Sequence, residues 1–116
     1  MRLPNNKNAV IDSEKITGYA LSRDHAVGKH KARVFESVLG MSDKDSFLLV
    51  NSILEAVQCH ECIEGEVDSF GARYVVDFTL TNNGRSAPIR TSWIVRAGEG
   101  FPRLTSVYIR TKLLPL

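Results

Sequence analysis

The sequence predicts an α+β domain: two N-terminal helices packed on one face of a roughly four-stranded antiparallel sheet, wound as a meander. Three observations carry this. Apolar residues recur at helical spacing through residues 24–58. From residue 61 the period drops to two, the repeat of a strand. Asn82-Asn83-Gly84 separates two alternating runs, and Asn and Gly accept the positive φ that a tight hairpin needs. With 116 residues, 43% hydrophobic and 24% charged, the chain suits one folded domain over 1–116 and not a disordered one.

Taken in order, residues 1–8 read as a loose polar lead-in and residues 110–116 as a tail with an apolar end. Ala9-Val10-Ile11 is a short strand or a packing anchor. Asp12 or Ser13 caps a helical turn through Leu21. The first long helix spans about 24–39, with the stripe Val27, Val34, Phe35, Val38 and Leu39, and Gly40 stops it. The second spans about 43–58 behind the cap Ser42, with the stripe Phe47, Val50, Ile53 or Leu54, and Val57. Strands follow over 61–68, 72–81, 87–97 and 103–111. Tyr74, Val76, Phe78 and Leu80 share a face with Ile89, Thr91, Trp93 and Val95, and the helices cover that face. Arg73, Asp77, Thr79, Arg90, Ser92 and Arg96 lie on the other. The facing of the last strand is open in the sequence.

No apolar run approaches the ~20 residues of a membrane span, and the N-terminal residues lack the apolar core of a signal peptide. The expectation is a cytoplasmic setting and no membrane partner. Cys59 and Cys62 form a C-x-x-C, but it follows a helix C-terminus, the wrong pole for stabilising thiolate. It also lacks a second ligand pair for zinc. Two half-buried structural thiols are the preferred reading, and no metal or cofactor is expected. Nucleophile elbows and phosphate-binding glycine loops are absent.

Charge is uneven. Residues 1–84 hold nine Lys or Arg against twelve Asp or Glu, a balance of −3; residues 85–116 hold six against one, a balance of +5. A second basic cluster comprises Arg23, Lys29, Lys31 and Arg33, joined by His25 and His30. Such clusters draw polyanions. Metal-independent RNA cleavage needs a base for the 2′-hydroxyl, a cation for the phosphate charge and an acid for the leaving oxygen. His25, Lys29, His30, Lys31 and Arg33 on one helix, with Arg90, Thr91, Ser92, Arg103, Thr105 and Tyr108 on late strands, supply those residue types. They equally suit a plain solvated surface.

Two stretches carry a resemblance. Thr17-Gly18-Tyr19-Ala20-Leu21 with Asp24 through Phe35, and Arg90-Thr91-Ser92-Trp93-Ile94-Val95 with Pro102-Arg103-Leu104-Thr105-Ser106-Val107-Tyr108, resemble the opening and closing motifs of an uncharacterised family of short bacterial proteins. That family is also seen as toxin-type C-terminal domains, with distant fold-level similarity to barnase, colicin and RelE-like ribonuclease toxins. The chain departs from the pattern at Ala26 and Ile109, where proline is usual, and in the spacing at Ser106-Val107. The resemblance implies an RNA-cleaving toxin with a cognate antitoxin or immunity protein. In it, His25 would be acid or base, Lys31 and Arg90 would hold phosphate, Thr91 and Thr105 would orient it, and Tyr108 would donate a proton. Lys29, Arg33, Arg73, Arg96 and Arg103 would bind the nucleic acid. The alternative is a non-catalytic nucleic-acid- or protein-binding module on the same scaffold. Oligomeric state is left open.

Overall fold

The computed structural model describes residues 1–22 and 29–110. His25, the start of the first predicted helix and residues 111–116 of the tail lie outside the described residues.

The chain opens with a 3-10 turn, Asn6–Asn8, then a short helical segment, Ser13–Lys15, that widens into a π turn, Ile16–Ala20. Two long helices follow, α1 (Lys29–Leu39) and α2 (Ser46–Cys59), and then strands β1 (Ile63–Asp68), β2 (Gly71–Asn82), β3 (Arg85–Arg96) and β4 (Pro102–Ile109). The strands pair antiparallel in sequence order, a meander. Helices N-terminal to an antiparallel sheet are what the change of period predicts.

The lead-in is tied down. Leu3 is buried in the core, Asn6 donates to the Val57 carbonyl at the end of α2 (2.9 Å), and Asn5 donates to Gly100 in the last turn (2.6 Å). Val10 brackets the start of β4: its amide donates to Pro102 and its carbonyl accepts from Leu104. It is a one-residue parallel bridge beside the sheet.

In the short helical segment, Asp12 caps by accepting from the Glu14 amide (3.1 Å). The wider bond from Leu21 to Ile16 brings Ile16, Ala20 and Leu21 together into the core. Helix α1 buries Ala32, Phe35 and Leu39. It ends at Gly40, whose φ of 66° suits a residue without Cβ. There the Gly40 and Met41 amides take the last carbonyls of Glu36 and Phe35.

Helix α2 corrects one expectation. Its buried stripe is Leu49, Ile53, Ala56 and Val57, while Phe47 is 77% exposed. The helix is entered through a 3-10 turn, Asp43–Asp45, fixed by a capping box in which Ser42 accepts from Lys44 and Asp45 accepts from the Ser42 amide. That entry sets the phase, and Leu49 satisfies the helical period as well as Phe47 does.

Strands β2 and β3 pair from Gly71↔Arg96 to Asn82↔Arg85. The turn is Asn83-Gly84, with φ of 52° and 78°, the double positive φ of a type I′ hairpin. At the far end Gly71 is obligatory. A Cβ there would lie 2.2 Å from the Val95 carbonyl oxygen.

Strand β4 resolves the facing that the sequence leaves open. Ser106 lies opposite Ser92 and Leu104 opposite Trp93, so Thr105 is an extra residue. This bulge lets Leu104, Val107 and Ile109 all enter the core.

Candidate functional site

The two faces of the sheet hold different chemistry. Thr91 is on the helix-covered face and fully buried. Its hydroxyl donates to the Val76 carbonyl (2.8 Å) and accepts from the Trp93 indole (2.8 Å). Both capacities are taken inside the core, so Thr91 does not join the other sequence candidates.

On the open face, Asp77, Arg90 and Tyr108 lie side by side across β2, β3 and β4. Arg90 grips Asp77 with a bidentate pair, Nε to Oδ1 and Nη2 to Oδ2, each 2.9 Å. Arg110 adds a third bond to Asp77 Oδ2 at 3.1 Å. The hydrogen bond from Arg90 holds the Asp77 carboxyl below the usual carboxylate range, against the burial that raises it, and Arg110 helps. Asp77 in turn pushes the Arg90 guanidinium further above its ordinary value, with Tyr108 acting in the same direction.

Next to Tyr108 the chain folds a cleft of about 210 Å³ lined by Lys15, Lys31, Thr105 and Ser106. Three elements build it. Lys31 comes from α1, Lys15 from the end of the short helical segment, and Thr105 and Ser106 from the bulge in β4. The Lys31 ammonium also sits 5.2 Å from the centroid of the Tyr108 ring, within cation–π range. Partial burial lowers the Lys31 pKa from that of a free lysine. The described lining residues are two lysines, a threonine and a serine, with no aspartate or glutamate among them.

The remaining predicted residues divide. Lys29 and Arg33 are four apart and share a side of α1; Lys31, about 200° round the helix from each, faces the cleft without them. Arg33 is exposed. Arg73 and Arg103 flank Ile94 two rows further along the open face, about 13 Å along β3 from Arg90. Both are engaged. Arg73 pairs with Asp68 (2.8 Å). Arg103 holds Glu99 through two bonds of 2.9 and 3.0 Å and lies over the Phe101 ring. Arg96 is exposed at the end of β3. Lys31, Thr105, Tyr108 and Arg90 thus come together; Thr91, Arg73, Arg96 and Arg103 do not join them, and His25 lies outside the described residues.

Sequence reasoning missed Lys15, Ser106 and Arg110. Lys15 precedes a π turn that no local pattern announces. Ser106 joins the cleft through the extra residue at Thr105, which breaks the alternation. Cys59 is exposed and Cys62 half-buried, both as free thiols, and burial raises the Cys62 pKa. Among the described residues no cluster of His, Cys, Asp or Glu is arranged to hold a metal ion, and no helix is long and apolar enough to cross a membrane.

Among solved structures, the fold is similar to a chain of a contact-dependent growth inhibition toxin–immunity protein complex from Klebsiella pneumoniae 342, with a TM-score of 0.66. The likeness covers 91% of this chain and 97% of that one at 15% sequence identity, so it is a likeness of fold. No curated protein matches the chain. A family model does, over residues 2–111: the chain belongs to the family described as a domain of unknown function, DUF6883.

Proposed function

We propose that this domain is a toxin-type ribonuclease that cleaves RNA without a metal, with the scissile phosphate held in the cleft between Lys15, Lys31, Thr105 and Ser106. The cleft itself carries the reading. Two lysines and two hydroxyls converge beside a tyrosine on elements far apart in sequence, with no carboxylate in the described lining. In this reading Lys15 and Lys31 balance the charge that builds on phosphorus. Thr105 and Ser106 orient a non-bridging oxygen. The 2′-oxygen attacks phosphorus, the bond to the 5′-oxygen breaks, and a 2′,3′-cyclic phosphate remains. His25, on the family resemblance, takes the 2′-hydroxyl proton, and Tyr108 gives a proton to the leaving 5′-oxygen. The role of Arg90, held by Asp77, is to orient Tyr108 and add positive potential. The fold likeness to a toxin–immunity complex is consistent with this reading, and a cognate immunity protein is the partner it entails.

A second reading is a non-catalytic nucleic-acid- or protein-binding module on the same scaffold; in its favour, Arg73, Arg90, Arg103 and Arg110 already have carboxylate partners, so these cations are committed before any phosphate arrives.

Induced expression in bacteria separates the two. The nuclease reading expects growth arrest and fragmented RNA from the wild type, both relieved by Lys31→Ala and by Tyr108→Phe. The purified protein should leave 2′,3′-cyclic ends in the presence of a chelator. Arrest unchanged by both substitutions rejects the cleft as the site. Normal growth and intact RNA, with folded wild-type protein present, reject the nuclease in favour of the binding module.

A further inference from the structure

We infer that the chain forms a homodimer by pairing the distal half of β2 with its symmetry mate, so that the two sheets join into one. Strand β2 is twelve residues long, yet β1 reaches only as far as Val75, opposite Ile63. Beyond that point, residues 76–82 have β3 on one side and, among the described residues, no strand on the other.

The direction of the backbone groups follows from the register. Pro88 lies opposite Thr79, and the Pro88 carbonyl accepts from Arg110 on the β4 side (2.8 Å). Pro88 therefore turns its polar backbone away from β2, and Thr79–Pro88 is a non-hydrogen-bonded pair. By alternation, Asp77, Thr79 and Thr81 aim their N–H and C=O groups at the open edge. Among the described residues, no backbone bond from outside the sheet reaches them.

An open edge of this kind normally carries a guard. Strand β1 has several: Glu64, Glu66 and Asp68 along six exposed residues, and a bulge between Glu64 and Val67. Residues 76–82 read Val-Asp-Phe-Thr-Leu-Thr-Asn. They contain no lysine or proline, and their one charge, Asp77, is already bound by Arg90 and Arg110.

The segment is self-complementary about Thr79. In an antiparallel pair centred there, Thr79 faces Thr79 of the other copy, and Asp77 faces Thr81. Each of those pairs exchanges N–H···O bonds in both directions. On the helix side Phe78 faces Leu80, an apolar pair. No like charges meet. Beside the edge lies a hollow of about 200 Å³ whose lining includes Ser52, Glu55, Ala56, His60, Phe78 and Leu80.

Sedimentation of the purified chain over a dilution series tests the dimer. The wild type should pass from monomer to dimer as concentration rises. Thr79→Lys, which sets two ammonium groups on the two-fold axis, should stay monomeric, with its circular dichroism spectrum unchanged and its melting temperature equal to that of the wild type diluted to the monomer. Thr79→Pro, which removes an N–H aimed at the edge and none bonded to β3, should do the same. In a Cys59→Ser, Cys62→Ser background, Thr79→Cys should form a disulfide-linked dimer on mild oxidation, because the Cα atoms of such a pair lie about 5.5 Å apart. A wild type that stays monomeric throughout overturns the proposal, as does a dimer that survives both Thr79→Lys and Thr79→Pro. A monomer whose β2 edge takes up a strand from another protein also overturns it.

Discussion

On the helix-covered face of β3, Thr91 commits its hydroxyl to the Val76 carbonyl and the Trp93 indole, out of reach of solvent. One residue earlier, on the open face, Arg90 commits its guanidinium to Asp77, and Arg110 joins from the end of β4. Both residues are fully engaged, yet the consequences differ. A buried hydroxyl removed from its partners leaves a donor and an acceptor that water cannot reach. An ion pair on a wet face is replaced by hydration, so it holds geometry more than it holds the fold. Residue type alone does not separate the two; the strand alternation does, and it already sets Thr91 beside Trp93 on the helix-covered face and Arg90 on the other.

The largest test of that contrast is at the core. Trp93→Ala should cost about 3–5 kcal/mol in denaturant unfolding, by cavity formation and by leaving the Thr91 hydroxyl without its donor. A loss below about 1 kcal/mol would mean that the face is not packed as described. Gly71→Ala, where the added Cβ meets the Val95 carbonyl, should cost at least about 2 kcal/mol by the same measurement. Thr91→Val keeps the shape and removes both hydrogen bonds; about 1–3 kcal/mol should go, while any RNA cleavage at the permissive temperature persists.

On the open face the expected effects on stability shrink and those on binding grow. Asp77→Asn should cost about 1 kcal/mol or less at neutral pH and should strengthen binding to RNA, because it releases Arg90 and Arg110. Reduced binding would show that the pair orders the site. The pH dependence has a definite sign. The folded pKa of Asp77 is depressed, so the stability it contributes is present above its unfolded value, about 3.9, and is lost as pH falls through the folded value. Asp77→Asn should therefore flatten part of the acid limb of the stability profile. The smallest effect is expected at Phe47, exposed on α2: Phe47→Ser should change stability by about 0.5 kcal/mol or less.

How far these features were legible in the sequence depends on how local their causes are. The hairpin at Asn83-Gly84 and the stop at Gly40 are written in single residues that tolerate positive φ. The strands β2 and β3 are written in their alternation. The phase of α2 was not legible, because Phe47 and Leu49 both satisfy a helical period and a capping turn upstream decides between them. The cleft was legible only in part. Lys31, Thr105 and Tyr108 stood out as residue types, but the approach of Lys15 depends on a π turn and the position of Ser106 on an unpaired residue. Neither has a local signal.

The bulge at Thr105 has a consequence for how the cleft and the fold are linked. With Thr105 removed, Leu104, Ser106 and Val107 would alternate without interruption and still face Trp93, Ser92 and Thr91 in turn. A single-residue deletion, usually harmful inside a strand, would here regularise one. The folding domain and the cleft are therefore separable by one codon: the shortened protein should melt as the parent does while losing one wall of its cleft, giving a scaffold that differs from the parent by a threonine.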